Sequence, residues 1–234
     1  MSIAVRNLSR HYRRGTESVT ALDSVDLELF PGELAVAAGP SGSGKTTLLS
    51  ILAGFDEPDA GTVVIGEPLP QGIPVADLRW ADLAFVPQSP TLLDELTVAE
   101  NIDLPARLAG LRDVPGEPVG NQARPAGVAE LMAELEIGHL AARYPSQTSG
   151  GEQQRTAIGR ALRLRPTVLL ADEPTGHQDR ARVGLVLDIL RRHAYAGHTV
   201  LITSHDEDVI RAADRVITLA DGRVVADTYH GVLS

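Results

Sequence analysis

The chain reads as an α/β protein built on a largely parallel core sheet. Short, β-branched apolar runs recur along it and alternate with stretches of helical periodicity, the pattern of strands joined by crossover helices. Some runs are apolar throughout, as strands buried on both faces must be, whereas others alternate apolar and polar residues and predict antiparallel strands with one wet face. At 234 residues, 43% hydrophobic and 22% charged, the composition is that of a globular chain rather than a disordered one.

In chain order, Ile3–Asn7, Val25–Leu29 and Thr62–Ile65 alternate and predict antiparallel strands. Leu34–Ala38, Leu83–Val86, Val168–Ala171, Thr199–Thr203 and Arg215–Leu219 predict the core strands. Lys45–Ala53, Gly127–Glu136, Gly151–Leu164 and Arg180–Ala194 predict helices. Val114–Gly127, dense in proline and glycine, predicts a surface loop. No internal repeat is visible.

Composition also narrows the function. The net charge of −10 argues against a general nucleic-acid binder. With no cysteine, disulfides and thiolate metal sites are impossible. No apolar run approaches the ~18–20 residues needed to cross a bilayer, and the first residues do not read as a secretory signal. The expectation is a cytoplasmic protein. Of 21 basic residues only one, Lys45, is a lysine.

That lysine lies in Gly39-Pro40-Ser41-Gly42-Ser43-Gly44-Lys45-Thr46, followed by Thr47, which fits the phosphate-loop pattern G-x-x-x-x-G-K-[ST] between a buried strand and a helix. Glycines let consecutive backbone N–H groups turn inward around phosphates, and the helix N-terminus adds partial positive charge. Lys45 is expected to reach the β- and γ-phosphates and the Thr46 hydroxyl to bind Mg²⁺. A guanidinium has a different reach and donor geometry, so an otherwise arginine-only chain keeps lysine here. The fold is accordingly expected to be of the P-loop NTPase type.

A second motif, Val168-Leu169-Leu170-Ala171-Asp172-Glu173, carries two carboxylates to the C-terminal edge of a strand, where open α/β sheets bind ligands. Asp172 is expected to hold Mg²⁺, directly or through water, and Glu173 to orient and deprotonate an attacking water. A third, Ser149-Gly150-Gly151-Glu152-Gln153-Gln154-Arg155, opens another helix and forms a second anion-ready start. One nucleotide has no use for two such cradles so far apart in one chain. A second copy, lending its cradle across an interface, resolves this.

In the order phosphate loop, Gln88, Ser149-Gly150-Gly151, Asp172-Glu173 and His205, the sequence resembles the ATP-binding subunit of ABC transporters. The resemblance runs from about Ile3 to Val225. It implies a core with an antiparallel β subdomain, about 1–88 and 165–234, and an inserted α-helical subdomain, about 89–164. It implies that Tyr12 stacks on adenine, that Gln88 senses the γ-phosphate and Mg²⁺ and couples to the membrane partner, that His205 contacts the γ-phosphate, and that Asp179 belongs to the loop linking the two sites of a dimer. The cofactors implied are ATP and Mg²⁺. The partners implied are transmembrane permease subunits and a second ATPase subunit, with a homodimer favoured over a heterodimer and no nucleic acid. The location implied is the inner face of the cell membrane, held there through the permease. Leu96–Pro105 together with Gly150–Arg155 is similar to the branch of lipoprotein-releasing, macrolide-export and bacterial cell-division ATPases.

Two positions depart from the family pattern. Thr148 stands where leucine is usual, and Gln178, in Gly176-His177-Gln178-Asp179, replaces an apolar residue expected to pack at the dimer interface. Tolerated drift and weakened or asymmetric pairing both remain open, and His177 is not expected to act as a pH-sensitive contact. Arg10, Arg13 and Arg14 read as a solvated loop, Trp80 as packed near the strand before Gln88, and Arg191, Arg192 and His193 as cations favoured at a helix C-terminus. Rival readings are a regulator that drives a membrane partner without transport and a soluble ATPase of the same superfamily. The latter usually carries long coiled coils or two fused ATPase halves, and neither is visible here.

Overall fold

The computed structural model describes residues 1–15, 17–111, 125–176 and 178–230. His177 and all but the last three residues of the Val114–Gly127 loop lie outside them.

Two sheets organise the chain. Strands β1 (Ile3–Arg14), β2 (Glu17–Leu29) and β4 (Ala60–Ile65) form an antiparallel sheet in the order β2-β1-β4. The larger sheet comprises β3 (Leu34–Ala38), β5 (Leu83–Val86), β6 (Val168–Asp172), β7 (Thr199–Ser204), β8 (Arg215–Ala220) and β9 (Arg223–Tyr229), in the order β5-β6-β7-β3-β8-β9. All its pairings are parallel except β8 with β9. Helices α1 (Lys45–Leu52), α5 (Arg180–Tyr195) and α6 (Glu207–Ala212) accompany this sheet, while α2 (Val98–Leu108), α3 (Val128–Glu134) and α4 (Gly150–Leu162) all fall between β5 and β6.

The core strands are buried along their length because both sheet faces are covered. Alternation sorts their side chains into two cores. Ala35, Ala37, Leu170 and Leu201 join Leu48, Leu49 and Leu52 of α1 and the inward faces of β1 and β2. Val36, Leu169, Ala171 and Ile202 join Ile102, Leu135, Ile158 and Leu190. Each fully buried Leu or Ile contributes about 2 kcal/mol relative to exposure.

The five core strands lie where the apolar runs predict them, ends shifting by at most one residue. The antiparallel strands extend further: β1 and β2 form one long hairpin in which Tyr12 pairs with Val19. Arg10 and Arg13 therefore sit in a strand, not in a loop. The Arg10 guanidinium is ion-paired with Asp56 at 2.6 Å and Asp59 at 3.2 Å. Three elements escape the periodicity argument. Helix α2 carries an interior proline, Pro105, which usually ends a helix. It is started by a capping box in which the Thr97 N–H donates to Glu100 Oε2 and the Glu100 N–H to Thr97 Oγ1. Helix α6 is too short to show a period, and β9 is exposed. The late basic residues of α5 make tertiary contacts: Arg191 donates to the Ala212 carbonyl, Arg192 pairs with Glu134 at 3.1 Å, and the His193 ring, held neutral by burial rather than a cation, meets the Pro166 carbonyl at 2.9 Å. Trp80 packs partly buried against the core and lines a groove with Phe85 of β5.

Candidate active site

The order β6-β7-β3 places three strand ends side by side, with Asp172 opposite Thr203 and Ala38 opposite Ser204. The phosphate loop, the Asp172-Glu173 pair and His205 leave the sheet from those adjacent ends. They line a cleft of about 670 Å³ together with Tyr12, Thr20, Gln88 and Thr47.

The loop Gly39–Gly44 depends on glycine for two separate reasons. Gly44, which caps α1, has φ 102, and a Cβ there would lie 2.3 Å from the Ala21 carbonyl oxygen. At Gly39 a Cβ would lie 2.2 Å from the Leu219 oxygen. Backbone N–H groups can therefore line the cleft at close range. Lys45 is only 8% exposed, and its ammonium donates to the carbonyls of Gly39 at 2.8 Å and Pro40 at 2.9 Å. Among the described residues no carboxylate pairs with it. A buried ammonium held by neutral carbonyls alone favours an anion beside it. Ser43 Oγ, in the same loop, is buried and has no hydrogen-bond partner. The cradle fits a polyphosphate.

Asp172, 3% exposed, accepts from the Thr46 hydroxyl at 2.9 Å and the Thr203 hydroxyl at 2.5 Å. With Gln88 in the same cleft, the donors are oxygens only, the set a hard divalent cation such as Mg²⁺ takes. Thr203 was not singled out in the sequence. Its only signal is a hydroxyl directly after the apolar run Val200–Ile202. Its hydroxyl also accepts from the Glu173 N–H at 2.9 Å. Glu173 has φ 48, a left-handed conformation rare for a residue with a side chain. There its carboxylate accepts from His205 Nδ1 at 2.8 Å, with the glutamate 15% and the histidine 76% exposed.

At the mouth of the cleft the Tyr12 hydroxyl donates to Asp56 Oδ2 at 2.5 Å, and the Arg10 guanidinium lies 4.9 Å from the ring centroid. Arg10 and Asp56 thus fix the ring orientation, a support not legible without the β1 register.

Ser149, Gly150, Gly151 and Asp179 do not border this cleft. Ser149 caps α4, with its N–H and hydroxyl both donating to Glu152 Oε2, at 2.8 and 2.9 Å. The Ser149 backbone bond, followed by the hydroxyl bond, holds the Glu152 carboxyl below its ordinary range against the opposing effect of burial. Ser149 and Gly150 are exposed. Asp179 caps α5, accepting from the Arg182 N–H at 2.9 Å. Thr148 donates its hydroxyl to the Pro145 carbonyl at 2.8 Å and closes the turn before α4. Gln178 turns its amide inward. It accepts from Arg155 Nη1 at 2.7 Å and donates to the Gly151 carbonyl at 2.8 Å. The polar side chain is turned inward because an amide satisfies both a buried guanidinium and a carbonyl. On α4 a second buried arginine, Arg160, donates to the Thr91 carbonyl at 2.9 Å, holding the segment that follows Gln88.

Comparison with known proteins agrees with this architecture. The family described as "ABC transporter" matches residues 22–176. A macrolide export ATP-binding/permease protein, MacB 2 of Yersinia pestis (bv. Antiqua, strain Antiqua), is 36% identical over 228 residues, covering 96% of this chain and 32% of that protein. MacB of Burkholderia pseudomallei (strain K96243) is 38% identical over 228 residues, covering 96% and 34%. The chain therefore spans about a third of the length of the curated relatives it matches. The dimeric structure of the ATP-binding cassette MJ0796 in a post-hydrolysis state bound to ADP and Pi superimposes with TM-score 0.81 at 32% identity, covering 97% of this chain and 98% of that one. With the cleft, the phosphate loop and the paired carboxylates in one place, the chain belongs to the ABC transporter family, as an ATPase cassette.

Proposed function

We propose that this cassette closes with a second copy around two molecules of Mg-ATP and drives an export or mechanotransmitting permease through the resulting change of shape. The observation that carries this reading is the separation of the two cradles. Lys45, Thr46, Asp172, Glu173 and His205 share one cleft, while Ser149-Gly150-Gly151 faces outward elsewhere. A head-to-tail pair brings each exposed cradle to the other copy's cleft, so ATP binding both faces favours closure. That the MJ0796 cassette is dimeric with ADP and Pi, and that the curated relatives are named for macrolide export with a permease, supports the same assignment.

Within the cleft, Gly39–Gly44 and Lys45 bind the phosphates, and the Tyr12 ring stacks on the base. Thr46, Asp172 and Gln88 would hold Mg²⁺, which when bound would supply charge neutralisation to the phosphates. Glu173 takes the proton of the attacking water as ATP goes to ADP and phosphate. His205 orients that carboxylate through Nδ1. Asp179 lies in the loop between the two sites.

The permease contact is assigned to an apolar groove of about 250 Å³ around Phe55, Val75, Leu78, Trp80 and Phe85. Phe55 is 72% exposed there. Among the described residues no helix is long and apolar enough to cross a membrane, so membrane attachment is assigned to the permease partner.

The test is recovery of Glu173→Gln from native membranes in Mg-ATP, with the co-purifying chains identified by mass spectrometry. A stoichiometric membrane protein lost on Phe55→Ala supports the reading. Recovery of soluble partners alone refutes the membrane assignment.

A further inference from the structure

Gln178 stands five residues beyond Glu173, in the loop that ends at the Asp179 cap of α5. That loop is braced internally: the Gly176 N–H donates to the Glu173 carbonyl at 3.0 Å and the Gln178 N–H to the Thr175 carbonyl at 3.3 Å. At its far end, the Gln178 side chain reaches the first turn of α4 through the Gly151 carbonyl and Arg155. Arg155 is 6% exposed, no carboxylate pairs with it among the described residues, and its Nε has no partner. Among the described residues the Gln178 amide is thus the one side-chain hydrogen-bond acceptor of this guanidinium, whose charge Glu152, Glu136 and Asp179 offset only at longer range. Separating the two would strand the guanidinium, which makes the bridge stiff. The opposite end of the same loop is equally fixed, since Glu173 is held by Thr203 and His205.

We propose that Gln178 is a positioning residue that locks the Glu173 loop to the N-terminal turn of α4. When the exposed Ser149-Gly150-Gly151 cradle engages the nucleotide of a second copy, the displacement of α4 is carried through Arg155 and Gln178 to this copy's own Glu173. The amide serves this purpose where an apolar side chain cannot, because it grips a donor and an acceptor on α4 at once. The proposal rests on the two-copy reading above.

Gln178→Met keeps the side-chain length and removes both polar atoms. Its expected effects are ATP affinity of the single chain within about twofold of the parent, kcat reduced about tenfold for the loss of two buried hydrogen bonds, and a Hill coefficient for ATP that falls from above 1 to 1. Adding Arg155→Met to Gln178→Met should lower kcat no more than about twofold further, since both remove one link. Gln178→Glu retains the acceptor for Arg155 and loses the donor to Gly151, so an intermediate Hill coefficient is expected. This variant decides the matter if Gln178→Met does not fold. An unchanged Hill coefficient and kcat, or a lower melting temperature with the Hill coefficient unmoved, overturns the proposal. Light scattering of Glu173→Gln in saturating Mg-ATP separates the two levels. Failure of that chain to pair sinks the two-copy reading and this proposal together. Normal pairing with an unmoved Hill coefficient in Gln178→Met sinks this proposal alone.

Discussion

The cleft at the strand ends and the exposed start of α4 are both built from glycines at a helix N-terminus, yet they are held in opposite ways. In the cleft the two carboxylates are shielded and already joined: Thr46 and Thr203 grip Asp172, and His205 grips Glu173. Among the described residues Lys45 meets neutral carbonyls and no carboxylate, and Ser43 Oγ has no partner. At α4 Ser149 and Gly150 are exposed, and the cap closes on its own chain through Glu152. One cradle is preorganised for a ligand, whereas the other has only a local substitute for one. The difference follows from position. The phosphate loop is wedged against the backbones of Ala21 and Leu219, whereas the start of α4 is held by side chains, Gln153 to the Pro145 carbonyl and Gln178 to the Gly151 carbonyl.

The sharpest way to break this contrast is Glu173→Gln, which should lower ATP turnover by about 10²–10⁴-fold, the usual contribution of a general base, while ATP binding persists. Steady-state phosphate release against nucleotide titration checks it, and unchanged turnover would remove Glu173 from its assigned role.

Lys45→Ala attacks the cradle itself. Loss of charge-assisted hydrogen bonds should weaken ATP binding roughly 10–100-fold. Because Lys45 is the only lysine, an amine-acylating reagent offers a direct reading. Mg-ATP should protect that residue, and equal labelling with and without nucleotide contradicts its placement.

A third measurement probes the packing that carries α4 and α3 against the core and touches neither cradle. Burial, then the neighbouring His198, depresses His193 to about 3. Burial and Arg165 depress His198 as well, and Arg165, Arg192, Glu130 and Glu134 surround the stacked pair, whose centroids are 4.2 Å apart. The folded state keeps His193 neutral where the unfolded state, titrating near 6.5, takes up a proton. Stability is therefore full above about 6.5 and is lost as pH falls toward about 3, by roughly 2 kcal/mol at pH 5. Denaturant titrations across that window should show a shallower slope in His193→Gln, and an unaltered slope refutes the assignment.

The smallest effect sharpens the comparison from the α4 side. Glu152→Gln removes a carboxylate from the exposed cradle but keeps an oxygen for the Ser149 bonds. ATP-driven pairing, followed by light scattering in the Glu173→Gln background, should tighten about threefold, the scale of one charge at a helix terminus. Weaker pairing would mean that the carboxylate supports the closed form.

Much of this was written into the sequence. Wherever a constraint is local, residue type reveals it: glycines that no Cβ can replace at 39 and 44, a lone lysine in the phosphate loop, and apolar runs for strands buried on both faces. Those patterns, with the resemblance they support, led to the phosphate loop, Asp172, Glu173 and the family. The tertiary structure decided what depends on register and on neighbours distant along the chain. Thr203 becomes a ligand-orienting residue only because β6 and β7 pair with Asp172 opposite it. Arg10 supports Tyr12 rather than a solvated loop because the β1–β2 hairpin runs on to Arg14 and faces Asp56. Helix α2 persists through Pro105 because Val98, Ile102 and Ala106 are buried in the core, an energy that outweighs one lost hydrogen bond. Gln178, noted in the sequence as standing where an apolar residue is usual, bonds a buried arginine that sequence spacing does not show to be its neighbour. Local propensity fixes which groups a segment offers, and only packing between segments determines which of them meet.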